Sequence, residues 1–148
     1  MTDDPAPFDG IYSPIREQEL STVYATLAAD SSATLRDKQQ AMFSLIYHHD
    51  PSSALDTIIR IALHADPEWA ALAIEKLDPL IQSRVFYPHP HRMNRFWRDM
   101  RKRRPEMRKA INETAALVRE YCRIWERHPP KEVIFDRYPM TTGGCLKR

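Results

Sequence analysis

The feature that most constrains the fold of this chain is a series of Asp-Pro pairs, Asp50-Pro51, Asp66-Pro67 and Asp78-Pro79. An Asp carboxylate accepts hydrogen bonds from the free N–H groups of a helix's first turn, and proline leaves no N–H unpaired there. Proline also keeps the preceding residue out of helical geometry, so each pair ends one helix and begins another. Between the pairs, apolar residues recur at the three- and four-residue spacing of a helix face. The pattern predicts consecutive helices with short connections, which favours antiparallel neighbours.

The composition agrees with a helical domain. Hydrophobic residues make up 43% and charged residues 28% of the 148 residues, which are globular values. Only three glycines accompany 12 prolines, which disfavours a turn-rich β fold and a glycine-loop nucleotide site. The length is that of one ordinary domain. The sequence therefore predicts an all-α, single-domain bundle of about five to seven helices.

The predicted domain, residues 1–148, has four parts. Residues 1–12 form an extended N-terminal arm, and residues 13–83 form an acidic half built from helical hairpins. Residues 84–127 hold a basic segment followed by a long helix that begins after a break at proline 105. Residues 128–148 form an extended segment or lone strand and a flexible C-terminal tail.

Apolar stripes indicate which side of each helix is buried. Before Asp50, the stripe contains Leu35, Met42, Phe43, Ile46 and Tyr47. In the basic segment it contains Met93, Phe96, Trp97 and Met100. In the long helix it contains Met107, Ile111, Thr114, Val118, Tyr121 and Trp125, widened by Ala110, Leu117, Cys122 and Ile124. We expect these side chains to build the core.

Residues 32–78 resemble HEAT-type helical hairpins. In that family, helices begin at Asp-Pro and carry small and aliphatic residues along the packed side, as in Asp66-Pro67-Glu68-Trp69-Ala70-Ala71-Leu72-Ala73-Ile74-Glu75-Lys76-Leu77. The resemblance covers about one and a half units, and Ala70 stands where many members carry arginine. HEAT-type arrays generally need at least three repeats, so any helical bundle with Asp-Pro starts is the other interpretation. The resemblance implies antiparallel hairpins and a scaffold for macromolecular binding.

Charge is segregated along the chain, although the net charge is only +2. Residues 1–83 contain 13 acidic and five basic residues, whereas residues 84–109 contain ten basic and two acidic ones. Arginine pairs with phosphate oxygens, and neutralised phosphates release counterions. The candidate nucleic-acid contacts are Arg92, Arg95, Arg98, Arg101, Lys102, Arg103, Arg104, Arg108 and Lys109, with Trp97 as a ring that stacks on bases. Two alternatives stay open: the cations pair with the acidic half, or they bind an acidic protein.

The remaining polar residues predict neither catalysis nor a metal site. Cys122 and Cys145 lack the spacing of a zinc or redox site, and two cysteines make no disulfide framework. The histidines supply no full ligand set, and His89-Pro90-His91 suits a stiff connector. No nucleophile and base form a recognisable set. We therefore predict no enzymatic activity, no catalytic residue, no cofactor and no metal.

The sequence shows no apolar run near the ~20 residues of a membrane span and no signal-peptide pattern at Met1. It predicts a cytoplasmic protein with reduced thiols and no membrane contact. The predicted function is that of a nucleic-acid-associated helical subunit or accessory factor, which binds phosphate backbone through residues 92–109 within a larger nucleoprotein assembly. A protein partner is expected as well. The alternative function is a protein–protein adaptor or inhibitor that uses the HEAT-like surface.

Overall fold

A computed structural model describes residues 32–48 and 50–138 of the chain, and these residues are mainly helical. Their six α-helices are α1 (Leu35–His48), α2 (Pro51–His64), α3 (Pro67–Glu75), α4 (Leu77–Ser83), α5 (Pro90–Arg103) and α6 (Arg108–Arg127). A single 3₁₀ turn, Pro105–Met107, joins α5 to α6. The all-α prediction is confirmed. The predicted arm, residues 13–31 of the predicted acidic half and the C-terminal tail lie outside the described residues.

Two short strands tie the end of the described chain to its middle. β1 (Phe86–Tyr87) and β2 (Ile134–Phe135) pair in parallel, with Phe86 opposite Ile134. The N–H of Ile134 donates to the carbonyl of Val85 at 2.9 Å, and the N–H of Asp136 donates to the carbonyl of Tyr87 at 3.0 Å. The predicted extended segment is therefore a strand with a partner.

Two Asp-Pro pairs begin helices as predicted. Asp50 Oδ2 accepts from the N–H of Ser53, and Asp66 Oδ1 accepts from the N–H of Trp69, each at 3.1 Å. Proline follows the capping Asp as the first residue of both α2 and α3. Because each carboxylate satisfies an N–H that has no partner within its helix, the helix start is set locally.

The third pair does not cap a helix, so this prediction was wrong. α4 begins at Leu77, which places Asp78 inside the first turn, where its carboxylate accepts from the side chain of Gln82 at 2.7 Å. Pro79 has no N–H for the carbonyl of Glu75, four residues earlier, and α3 ends at that residue. Pro79 thus interrupts the helical hydrogen bonds at Glu75, and the break between α3 and α4 lies before the proline itself.

One apolar core joins the six helices and β1. Its largest fully buried side chains are Trp69, Phe86, Met42, Ile46, Leu55, Ile58, Ile61, Leu77, Leu80, Ile81 and Met100. The predicted stripe of the basic segment is confirmed, since Met93, Phe96, Trp97 and Met100 are all buried. This face of α5 fixes the orientation of the opposite, charged face.

Two predicted stripes are wider than the buried surface. In α6, Ile111, Val118 and Trp125 are buried as predicted, whereas Leu117 is 53% and Ile124 is 42% exposed. In α1, the exposed members of the predicted stripe are Leu35, Phe43 and Tyr47. A helix buries only the stripe that lies over its neighbours, so apolar residues further round its circumference stay in solvent. Within the described part of the chain, no helix is long and apolar enough to cross a membrane.

Candidate nucleic-acid interface

Helix α5 presents a row of cations on the face opposite its buried stripe. Arg95, Arg98 and Lys102 follow one another at three- and four-residue spacing and so lie along one side of the helix. Further exposed cations flank this row and continue past the 3₁₀ turn into α6. The exposed set is Arg95, Arg98, Arg101, Lys102, Arg103, Arg108 and Lys109, which we call the basic surface.

The basic surface has no acidic partner in residues 32–48 and 50–138, where every ion pair involves other cations. Arg95 Nη1 donates to the hydroxyl of Tyr138 at 3.2 Å, and Arg101 Nε donates to Asn112 Oδ1 at 3.0 Å. Both acceptors are neutral groups. The surface therefore carries positive charge that forms no ion pair with a carboxylate of this part of the chain.

Arg92, by contrast, belongs to the interior. Its side chain is 7% exposed and forms a fork on Asp136, with Nη2 at 2.7 Å from Oδ1 and Nε at 3.2 Å from Oδ2. Its Nη1 pairs with Asp56, and Nη2 also donates to the carbonyl of Ser52 at 3.3 Å. Burial lowers the pKa of Arg92, and the charge of Asp136 opposes this effect. Because its three nitrogens already face protein acceptors, Arg92 leaves the predicted set of phosphate contacts.

Asp136 is the site residue that sequence reasoning missed. Its side chain is 1% exposed and accepts, besides the Arg92 fork, the backbone N–H groups of His89 at 2.9 Å and Tyr138 at 3.1 Å. The hydroxyl of Ser52 donates to it as well. These bonds join the segment after β2 to the starts of α2 and α5. The sequence offers one signal for this role: a single acidic residue follows three apolar residues directly. An acidic side chain that is buried with such neighbours needs a basic partner.

Arg104 is also a structural residue. It is 9% exposed, its Nε donates to the carbonyl of Ala62 at 2.9 Å, and its Nη2 donates to the carbonyl of Ala65. The last carbonyls of a helix lack N–H partners and carry partial negative charge, so a cation stabilises them. Arg104 therefore caps the C-terminal end of α2. It is not one of the exposed cations that could contact phosphate, so the prediction for this residue is corrected. Arg103 donates to the carbonyl of Leu63 at 3.3 Å from the same end but stays exposed.

Trp97 is a core residue and not a platform for bases. It is 4% exposed, and its ring centroid lies 4.9 Å from that of Phe96. Almost none of its surface is therefore open for a nucleobase to stack on. The prediction of Trp97 as a stacking residue is thus corrected by its burial.

The helix that carries the basic surface is held at both ends. At its start, His89 Nδ1 accepts from the N–H of His91 at 3.1 Å, while Arg92 in the first turn binds Asp136. Just beyond its end, Arg104 binds the terminus of α2. Since its cations project from a fixed helix, an anion binds them without a large ordering cost for the backbone.

A cleft of about 270 Å³ lies beside the row, between α2 and α5. Its lining includes Arg60 and Arg95 but also the carboxylates of Asp56 and Asp99. Acidic groups at this position repel phosphate. The outer row of α5, and not the cleft, is therefore the place where a polyanion fits.

Cys122 is the free cysteine of the described residues, and it is half-buried. Burial raises the pKa of its thiol to about 11, and the nearby Glu126 adds to the shift. The thiol is therefore protonated near neutral pH, where a nucleophilic cysteine would be a thiolate. Among the described residues, no three His, Cys, Asp or Glu side chains lie where they could share a metal ion.

Comparison of the chain with protein families, with curated proteins and with solved structures finds no match. The candidate site is therefore defined by its own geometry. That geometry is a rigid helix with a core-facing apolar stripe, two internal arginines and an outward row of cations.

Proposed function

We propose that this chain is a non-enzymatic, nucleic-acid-associated helical subunit or accessory factor that binds phosphate backbone through the basic surface. The observation that carries the proposal is the exposure of seven cations without an acidic partner among the described residues. The row from Arg95 to Lys102 is about 10 Å long. One strand of a duplex carries a phosphate about every 3.4 Å of helix axis, so this length along the axis matches about three phosphates.

The proposed binding reads backbone and not sequence. Phosphate contacts position a protein on nucleic acid but carry no base information, and the one aromatic candidate of the segment, Trp97, is buried. The acidic residues of positions 1–83 repel phosphate and so favour an approach from the basic side. Such a protein suits a place inside a larger nucleoprotein assembly, where other subunits supply specificity.

The test is a salt titration of binding to single- and double-stranded oligonucleotides. Replacement of Arg98, Arg101 and Lys102 by Ala removes three exposed charges and should leave the far-UV circular dichroism unchanged. The slope of log affinity against log salt should become shallower by about 2 to 3, because each lost phosphate contact removes about one released counterion.

A matched control separates the basic surface from net charge alone. Alanine at Arg36, Arg119 and Lys131, which are also exposed, changes the net charge equally and should leave the slope close to that of the wild type. The proposal fails if the wild-type protein has no affinity for any oligonucleotide at low salt. It also fails if the control variant loses as much slope as the test variant.

The second candidate function is a protein–protein adaptor that uses the HEAT-like helices. It is favoured by an exposed aromatic pair on α1, where Phe43 and Tyr47 are 45% and 40% exposed with ring centroids 4.5 Å apart. Exposed apolar side chains that adjoin one another are typical of protein contacts. For an adaptor, Ala at both positions would remove co-purifying proteins and leave oligonucleotide binding intact. The triple variant of α5 would do the opposite if the first proposal holds.

A further inference from the structure

Helix α6 carries two apolar stripes: the core packs one of them along its length and the second only through Tyr121. The packed stripe contains Ile111, Ala115, Val118, Cys122 and Trp125. The second stripe contains Ala110, Thr114, Leu117, Tyr121 and Ile124. In the second stripe Leu117 is 53% and Ile124 is 42% exposed, and Tyr121 is half-buried. Both stripes alternate steps of four and three residues, the spacing by which two helices pack along a shared seam.

We propose that the second stripe is the interface of a homodimer, in which α6 packs against α6 of another copy in antiparallel orientation. The charges along its edge favour a second copy as the partner. Glu113 lies near the start of this edge and Arg127 at its end, two heptads later. Within the described residues neither side chain forms an ion pair. An antiparallel pair places Glu113 opposite the partner's Arg127, twice per dimer, whereas a parallel pair places like charges at the same level.

The apolar residues of the second stripe fit the same register. With the two-fold axis between Leu117 and Tyr121, each Leu117 packs on the partner's Tyr121, and each Thr114 packs on the partner's Ile124. In this register Glu120 lies opposite the partner's Glu120 near the axis, and Arg123 of the same helix, 2.9 Å from the Glu120 carboxylate, offsets this like-charge contact. One surface patch thus complements itself, which is the requirement for a two-fold interface.

The contact between two such helices is small. α6 has 20 residues, which is about 30 Å of helix, so the interface lies at the low end of specific protein interfaces. We therefore expect a reversible dimer whose population changes over the micromolar range of protein concentration.

Sedimentation velocity over that range tests the interface with a matched pair of variants. Leu117→Glu should shift the protein to monomer at every concentration while the far-UV circular dichroism is retained, because Leu117 is half in solvent already. Leu35→Glu introduces the same change at a leucine on α1 that is 47% exposed. It should leave the dimer intact.

A charge swap tests the orientation and the identity of the partner. Glu113→Arg and Arg127→Glu should each weaken dimerisation by about tenfold at low salt, because each breaks both cross-subunit pairs. The double variant should return to within about threefold of the wild type, because the pairs reform with reversed signs. A wild-type protein that stays monomeric throughout overturns the proposal. Failure of the double swap to restore association does so as well, and so does loss of the dimer in Leu35→Glu.

Discussion

Replacement of Asp136 by Ala is the perturbation whose cost the structure defines most sharply. Asp136 accepts the two-pronged bond of Arg92 at 2.7 and 3.2 Å, and both side chains are almost wholly buried, at 1% and 7% exposed. Removing one partner of a buried ion pair leaves the other charge without compensation, which costs about 3–5 kcal/mol. Asp56 stays as a partner for Arg92, but it is 56% exposed and offers a weaker, solvated contact. For a domain of typical stability the loss is a large fraction of the whole.

Urea unfolding followed by circular dichroism measures this cost. The unfolding free energy of Asp136→Ala should fall by about 3–5 kcal/mol. Its Tm should fall by roughly 6 to 20 °C, as expected for a chain of this size. Adding Arg92→Met to Asp136→Ala should recover part of the loss, since the second change removes the uncompensated charge.

An exposed ion pair of similar length provides the control. Arg123 and Glu120 lie 2.9 Å apart, with both side chains about half exposed. Arg123→Ala should cost only about 0–1 kcal/mol, because solvent screens such pairs. Equal losses for Asp136→Ala and Arg123→Ala would refute the argument that burial, and not distance, sets the value of these pairs.

The remaining predictions concern helix caps, backbone strain and alkaline pH. Asp66→Ala should lower the unfolding free energy by about 1 kcal/mol because it removes a cap, whereas Asp78→Ala should cost a few tenths because Asp78 caps nothing. Val85 has φ of 49°, so Val85→Gly should raise stability by up to about 1 kcal/mol, while the same change at Val133 should lower it. Both pairs of variants are compared in urea titrations. The pKa of the Cys122 thiol is about 11, above its ordinary value of 9.0, so the folded state holds this proton more tightly than the unfolded chain. Stability should therefore fall as pH rises from about 9 to 11, and Cys122→Ala should remove that part of the fall in a series of thermal melts.

Features of the fold that depend on near neighbours in the chain follow from the sequence. The caps at Asp50 and Asp66 each join a carboxylate to an N–H three residues later. Both partners of each hydrogen bond therefore lie within one short stretch of sequence. The same holds for the buried stripe of α5, which four apolar residues at helical spacing define. A helix start and a helix face are local properties, and local patterns predict them.

The sequence alone did not determine which charged or apolar residues of a helix are buried in contact with other elements. Arg92 and Arg98 lie in the same helix and have the same side chain, yet Arg92 is buried and Arg98 is exposed. The difference comes from Asp136, which is 44 residues further along the chain. In α6, likewise, Val118 is buried and its neighbour Leu117 is 53% exposed, because the helix packs on the core along one side only. Contacts between distant residues depend on how the helices pack against one another, and the periodicity of apolar residues along the chain does not predict that packing.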